Sequence, residues 1–153
     1  MIDIRVEQLH PLFIHFPIVF LILAPILKLA GILIKKYQRE LRFTYLVSLC
    51  LGLIGLLVSL YFGDIAFAQI KSEVCQFQLV HRHEDLAYYC VFAFVIALLF
   101  ELLVQIWSKE FMSYLAFLPL IIGQYFLIET SHLGAKMVYD HAIGTKASSL
   151  LCD

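Results

Sequence analysis

Four apolar stretches dominate this chain, and each is long enough to cross a bilayer: Pro11 to Ile34, Phe43 to Phe62, Leu86 to Trp107, and a fourth that starts at Phe111. A hydrocarbon core of about 30 Å takes roughly 20 apolar residues of helix. The fourth stretch is unambiguous only to Ile128, and its helix can run on through Met137 and Tyr139. Inside lipid no water is at hand for the backbone, so each span must close its own hydrogen bonds. The alternation expected of a membrane β-barrel is absent. The prediction is therefore an all-α integral membrane four-helix bundle, antiparallel and up-and-down. It forms one domain over residues 1–153, with spans at about 11–34, 43–62, 86–107 and 111–131. Composition agrees, since 62% of the residues are hydrophobic and 15% charged, against about 45–50% and 25% in soluble domains. No linker, low-complexity segment or long internal repeat is visible.

Charge sets the expected orientation. Lys35, Lys36, Arg39 and Arg42 crowd the first connection, opposed there by Glu40. Lys109 lies in the tight turn between the third and fourth spans. Basic loops favour the cytoplasm. Both termini are then expected on the periplasmic side of a bacterial inner membrane. The first span lacks a basic start and a small-residue cleavage site, so it is expected to stay as an anchor. A net charge of −1 argues against nucleic acid as a partner, which would need a basic stripe.

With this topology all six histidines (His10, His15, His81, His83, His132 and His141) gather at one face. Imidazole is a ligand for haem iron and for many other metals. His10 and His15 differ by about 140° around a regular helix, so they do not share a face. Pro17 removes the hydrogen bond to the Phe13 carbonyl and loosens the backbone beside His15. His83 is expected at the entrance of the third helix and His81 in the connection before it. Glu84 and Asp85 would favour the dipole of that helix start. His132 and His141 point roughly oppositely if the fourth helix continues, with Gly144 as its stop and Asp140 able to orient an imidazole. Asp64, ending the second helix, either joins the histidines or caps a turn.

Two further pairs carry expectations. Lys28 and Glu101 are charges within spans; they either clamp the first helix to the third or act separately, one snorkelling and one facing the bundle. Cys75 and Cys152 fall on the histidine side, where an oxidising compartment would allow a disulfide; two free thiols are the alternative. Cys50 and Cys90 read as small packing residues. The chain has no CxxCH or HExxH motif, which argues against covalent c-type haem and a zincin site.

At His10, Pro11, His15, Phe16 and Pro17 the chain resembles a membrane family described as domain of unknown function 2231. The likeness continues at His83 and at Gly134, Val138, Tyr139 and His141, and departs where Ala142 replaces a glycine. Relatives fused to c-type cytochrome modules imply a redox setting for it.

Three functional classes follow. The leading one is a small b-type cytochrome with one or two haem b groups, its axial ligands drawn from His15, His83 and His141, with His10 next. Phe13, Phe16 and Tyr139 would pack on the macrocycle. Two imidazoles leave iron no open site, so electron transfer with a quinone or periplasmic cytochrome is expected rather than stand-alone enzyme chemistry. The second is a non-haem iron, copper or zinc centre, using these histidines and His132 together with Asp64, Glu84 or Asp140. The third is a cofactor-free subunit or assembly factor of a respiratory complex. Association as a homo-oligomer fits any of the three.

Overall fold

A computed structural model describes residues 9–107 and 110–145, and every regular element among them is helical. Helix α1 (Leu9–Phe13) and helix α2 (His15–Leu33) form the first span, interrupted at Ile14. The interruption falls where Pro17 cannot donate to the Phe13 carbonyl, as expected. A short turn leads to helix α3 (Gln38–Ile70), and a second connection leads to helix α4 (Phe77–Trp107). Helix α5 (Glu110–Leu115) and helix α6 (Phe117–Tyr139) make the last span. Four helical spans are long and apolar enough to cross a membrane.

The apolar stretches mark only the lipid-buried part of each helix. Helix α3 starts before Phe43 and passes Phe62 to reach Ile70, and α4 begins at Phe77 rather than Leu86. The extensions toward Ile70 and Phe77 are held by a small apolar cluster of Val74, Val80 and Ile143, with Phe67 and Met137 against it. Two expectations change as a result. Both His81 and His83 lie within α4, and Asp64 is inside α3 instead of ending it. Helix α6 does run on to Tyr139. Its chain reversal comes at Ala142, with φ of 51°, and Gly144 follows at 77°. The Ala142 N–H donates to the Val138 carbonyl at 3.1 Å, the bond of a left-handed helix cap.

Helix α2 packs mainly on α3, and α4 mainly on α6; contacts of α3 with α4 and of α2 with α6 close the bundle. Lipid is as apolar as leucine, so close helix contact depends on small residues and polar bonds. Leu21 seats on Gly52 and Phe94 on Gly123, where added Cβ atoms would lie 2.6 Å and 2.9 Å from those side chains. Pro25 cannot serve the Leu21 carbonyl, and Gln124 Nε2 donates to it instead at 2.6 Å. Ser48 Oγ donates to the Phe20 carbonyl at 2.8 Å. Outward stand Leu33, Phe92, Ile121 and Ile128, as a lipid-facing surface requires.

Lys28 and Glu101, the buried charges among the described residues, anchor a polar network at the end of the bundle near the basic connection. Lys28 Nζ pairs with Glu101 Oε1 and donates to Ser113 Oγ at 2.8 Å, and Ser113 Oγ donates to Glu101 at 3.0 Å. Arg42 approaches the other Glu101 oxygen at 3.5 Å. Nζ also stands 5.0 Å from the centre of the Tyr45 ring and 5.1 Å from that of Phe117, within cation–π range. The clamp between the first and third spans is therefore present, and it extends to α3, α5 and α6.

Candidate functional site

At the opposite end the four spans enclose a cavity of about 590 Å³. Its walls are mostly aliphatic, and polar groups enter from every span: His10 and His15, Ser59 and Asp64, His83 and Glu84, and Thr130. Pockets of this size and character commonly hold small molecules or cofactors.

The rings of His10 and His83 come together inside it. Their ring centres are 6.4 Å apart and the ring planes are inclined at 81°. His10 comes from α1 and forms a hydrogen bond through Nδ1 with the Ser59 carbonyl at 2.7 Å. With the proton on Nδ1, that nitrogen donates and Nε2 keeps its lone pair. His83 comes from the second turn of α4. Each ring rests on a glycine of the neighbouring helix. A Cβ on Gly63 would lie 3.2 Å from His10, and one on Gly134 3.1 Å from His83. Any larger residue would compete with the imidazole for its seat.

Polar bookkeeping singles out the same place. Among the described residues, four buried side-chain polar atoms have no hydrogen-bond partner: Tyr45 Oη, Ser59 Oγ, His83 Nδ1 and Thr130 Oγ1. The last three belong to residues lining the cavity. Each such atom costs about 1–3 kcal/mol when left unpaired. A molecule that engaged them would recover part of that cost.

The remaining candidates sit around this centre. His15 lines the cavity but is exposed. Asp64 is exposed along the cavity wall, and Tyr139, 86% exposed, stands at its margin. Phe13 stacks on Phe62 at 5.1 Å, and Phe16 points outward at 61% exposure; neither lines the cavity. His141 is half-buried just beyond α6 and His132 is exposed, and both stand outside the cavity wall. His81 is exposed, 3.5 Å from Glu84. No group of three or more His, Cys, Asp or Glu among the described residues is arranged to hold a metal ion.

Of the histidines preferred on sequence, His83 thus meets His10 rather than His15 or His141. The break at Ile14 and the angular offset between His10 and His15 let only one of them face Gly63. Ser59 and Thr130 were not among the sequence candidates, because lone hydroxyls in apolar spans are common. A signal was available in Ser59-x-x-x-Gly63 and Thr130-x-x-x-Gly134, the same spacing in two helices. Cys75 is disulfide-bonded and Cys50 and Cys90 are free thiols. Cys152 lies outside the described residues.

No curated protein and no solved structure matches the chain. The family described as predicted membrane protein (DUF2231) matches it over residues 7–147. With four apolar helical spans and a match over nearly its whole length, the chain belongs to the DUF2231 family of predicted membrane proteins.

Proposed function

We propose that this protein holds one b-type haem in the cavity through His10 and His83, and that the bound haem would serve single-electron transfer there. The proximity of these two rings carries the reading. Their ring centres are 6.4 Å apart, close enough for both imidazoles to reach one metal at bonds of about 2 Å. The chemistry of the donors also fits. The hydrogen bond from His10 Nδ1 to the Ser59 carbonyl is the support a ligating imidazole ordinarily has, fixing its tautomer and ring orientation. His83 has a buried nitrogen with no partner. The mostly aliphatic walls suit a flat apolar macrocycle.

Bound haem would supply a one-electron couple at iron. With two imidazoles as ligands no open position is left, which favours electron transfer over oxygen chemistry. A quinone in the bilayer or a periplasmic cytochrome would be the exchange partner. The disulfide at Cys75, on the cavity side, supports an oxidising compartment at that face. The basic connection of Lys35, Lys36, Arg39 and Arg42 supports the cytoplasm at the other. Together they favour a bacterial inner membrane with the cavity toward the periplasm.

The test is a reduced-minus-oxidised absorption spectrum of protein expressed in a haem-sufficient host and purified in mild detergent. Sharp low-spin b-type bands, lost in His83→Ala, are expected. Well-folded protein without haem bands would overturn the reading, and metal analysis of that sample would then decide between a non-haem centre and a cofactor-free subunit.

A further inference from the structure

The two halves of the chain repeat one packing pattern. In the first, His10 rests on Gly63; in the second, His83 rests on Gly134. Eleven residues after each histidine come Leu21 and Phe94, seated on Gly52 and Gly123, which lie eleven residues before Gly63 and Gly134. One turn before the latter glycines stand Ser59 and Thr130, both buried with unpartnered hydroxyls. Eighteen residues after the histidines stand Lys28 and Glu101, the two buried charges.

Equivalent positions also pair with each other. His10 meets His83, and Lys28, separated from Glu101 by the same 73 positions, meets Glu101. Residues related by a two-fold rotation touch only where the axis passes between them. An approximate two-fold axis therefore runs along the bundle, through the histidine pair at one end and the ion pair at the other. This is the relation of parallel repeats about an axis along the membrane normal.

We propose that the cavity is two copies of one half-site, an imidazole and a hydroxyl each, and that its ligand sits on this axis. His10 and His83 then hold it equally, with Ser59 and Thr130 as a second matched pair facing it. The inference rests on the haem reading and specifies it. A metal at the centre of a flat macrocycle accepts like donors from its two faces, so neither histidine is the privileged one. Iron ligated by His10 or His83 together with some other residue would break the equivalence.

The experiment compares His10→Ala with His83→Ala in the full chain, purified in detergent, by haem content, low-spin electron paramagnetic resonance and thermal unfolding. Both variants should lose the low-spin signal to the same extent, and added imidazole should restore it in both. Ser59→Ala and Thr130→Ala should shift the midpoint potential in the same direction. If the alanine variants do not fold, His10→Gln and His83→Gln take their place. Loss of the signal in one histidine variant with retention in the other overturns the two-fold site while leaving a haem protein. A wild-type protein without haem overturns the underlying reading, and this one with it.

Discussion

Lys28 and Glu101 hold the bundle together from corresponding positions in its two halves, both withdrawn almost completely from the surface, at 5% and 0% exposure. Their pairing fixes the relation of α2 to α4 at the end remote from the cavity. Removing one partner leaves a buried charge without its mate, at a cost of about 3–5 kcal/mol. Glu101→Gln and Lys28→Met should each lower stability in detergent by that order. The double variant Lys28→Met/Glu101→Met should recover much of the loss; if it is no better than the single variants, the account of the pair as mutually compensating fails.

The carbonyl of Leu21 offers a second coupled test. Pro25 deprives it of a helical N–H, and Gln124 supplies the replacement donor. Gln124→Leu should cost about 1–3 kcal/mol by leaving that carbonyl unpaired. Adding Pro25→Ala restores an N–H at the right helical position and should relieve the defect. Equal destabilisation with proline or alanine at residue 25 would show that Gln124 acts in some other way.

Glycines in the helices should differ by what lies over them. A methyl at Gly52 would press on Leu21 at 2.6 Å, whereas one at Gly31 would meet Leu41 at an ordinary 3.5 Å. Overpacking typically costs about 1–3 kcal/mol, so Gly52→Ala should be clearly destabilised. Gly31→Ala should be neutral, or more stable by up to ~1 kcal/mol through helix propensity. Unfolding in detergent at matched concentrations ranks the two.

Ala142 occupies the left-handed position that closes α6, with φ of 51°. For a residue with a Cβ this conformation costs about 1–2 kcal/mol, partly offset by the smaller unfolded-state entropy of alanine compared with glycine. Ala142→Gly should therefore stabilise the protein by roughly 0.5 kcal/mol. A lower melting temperature for this variant would contradict the cap assignment.

Asp64 lines the cavity but is exposed. If haem is the occupant, Asp64→Asn should retain it and keep the low-spin spectrum. If the variant instead loses a bound metal detected by elemental analysis, a carboxylate-ligated centre is favoured over haem.

Much of the fold was legible because hydropathy and the backbone's need for internal hydrogen bonds leave few choices in lipid. The four spans, the interruption beside His15 and the continuation of the last helix to Tyr139 follow from that. The helix ends at Ile70 and Phe77 lie past the long apolar stretches, because polar residues such as Asp64, Gln69, Arg82 and Glu84 interrupt the outer turns, which pack on Val74, Val80 and Ile143. The internal repeat was hidden for a related reason. Only glycines, hydroxyls, histidines and buried charges recur, while lipid-facing positions vary freely. Spacing also differs slightly, 73 positions from His10 to His83 but 71 from Gly63 to Gly134.

By itself the sequence determined four membrane-spanning helices, the gathering of histidines toward one end and the availability of Lys28 and Glu101 to each other, since apolar length and helix direction specify those features. Only the tertiary structure decided that His10 rather than His15 meets His83, and that Ser59 and Thr130 accompany them. Helix rotation in lipid is set by close packing, and the seats that decide it, Gly63 and Gly134, acquire their meaning only when another helix lies against them.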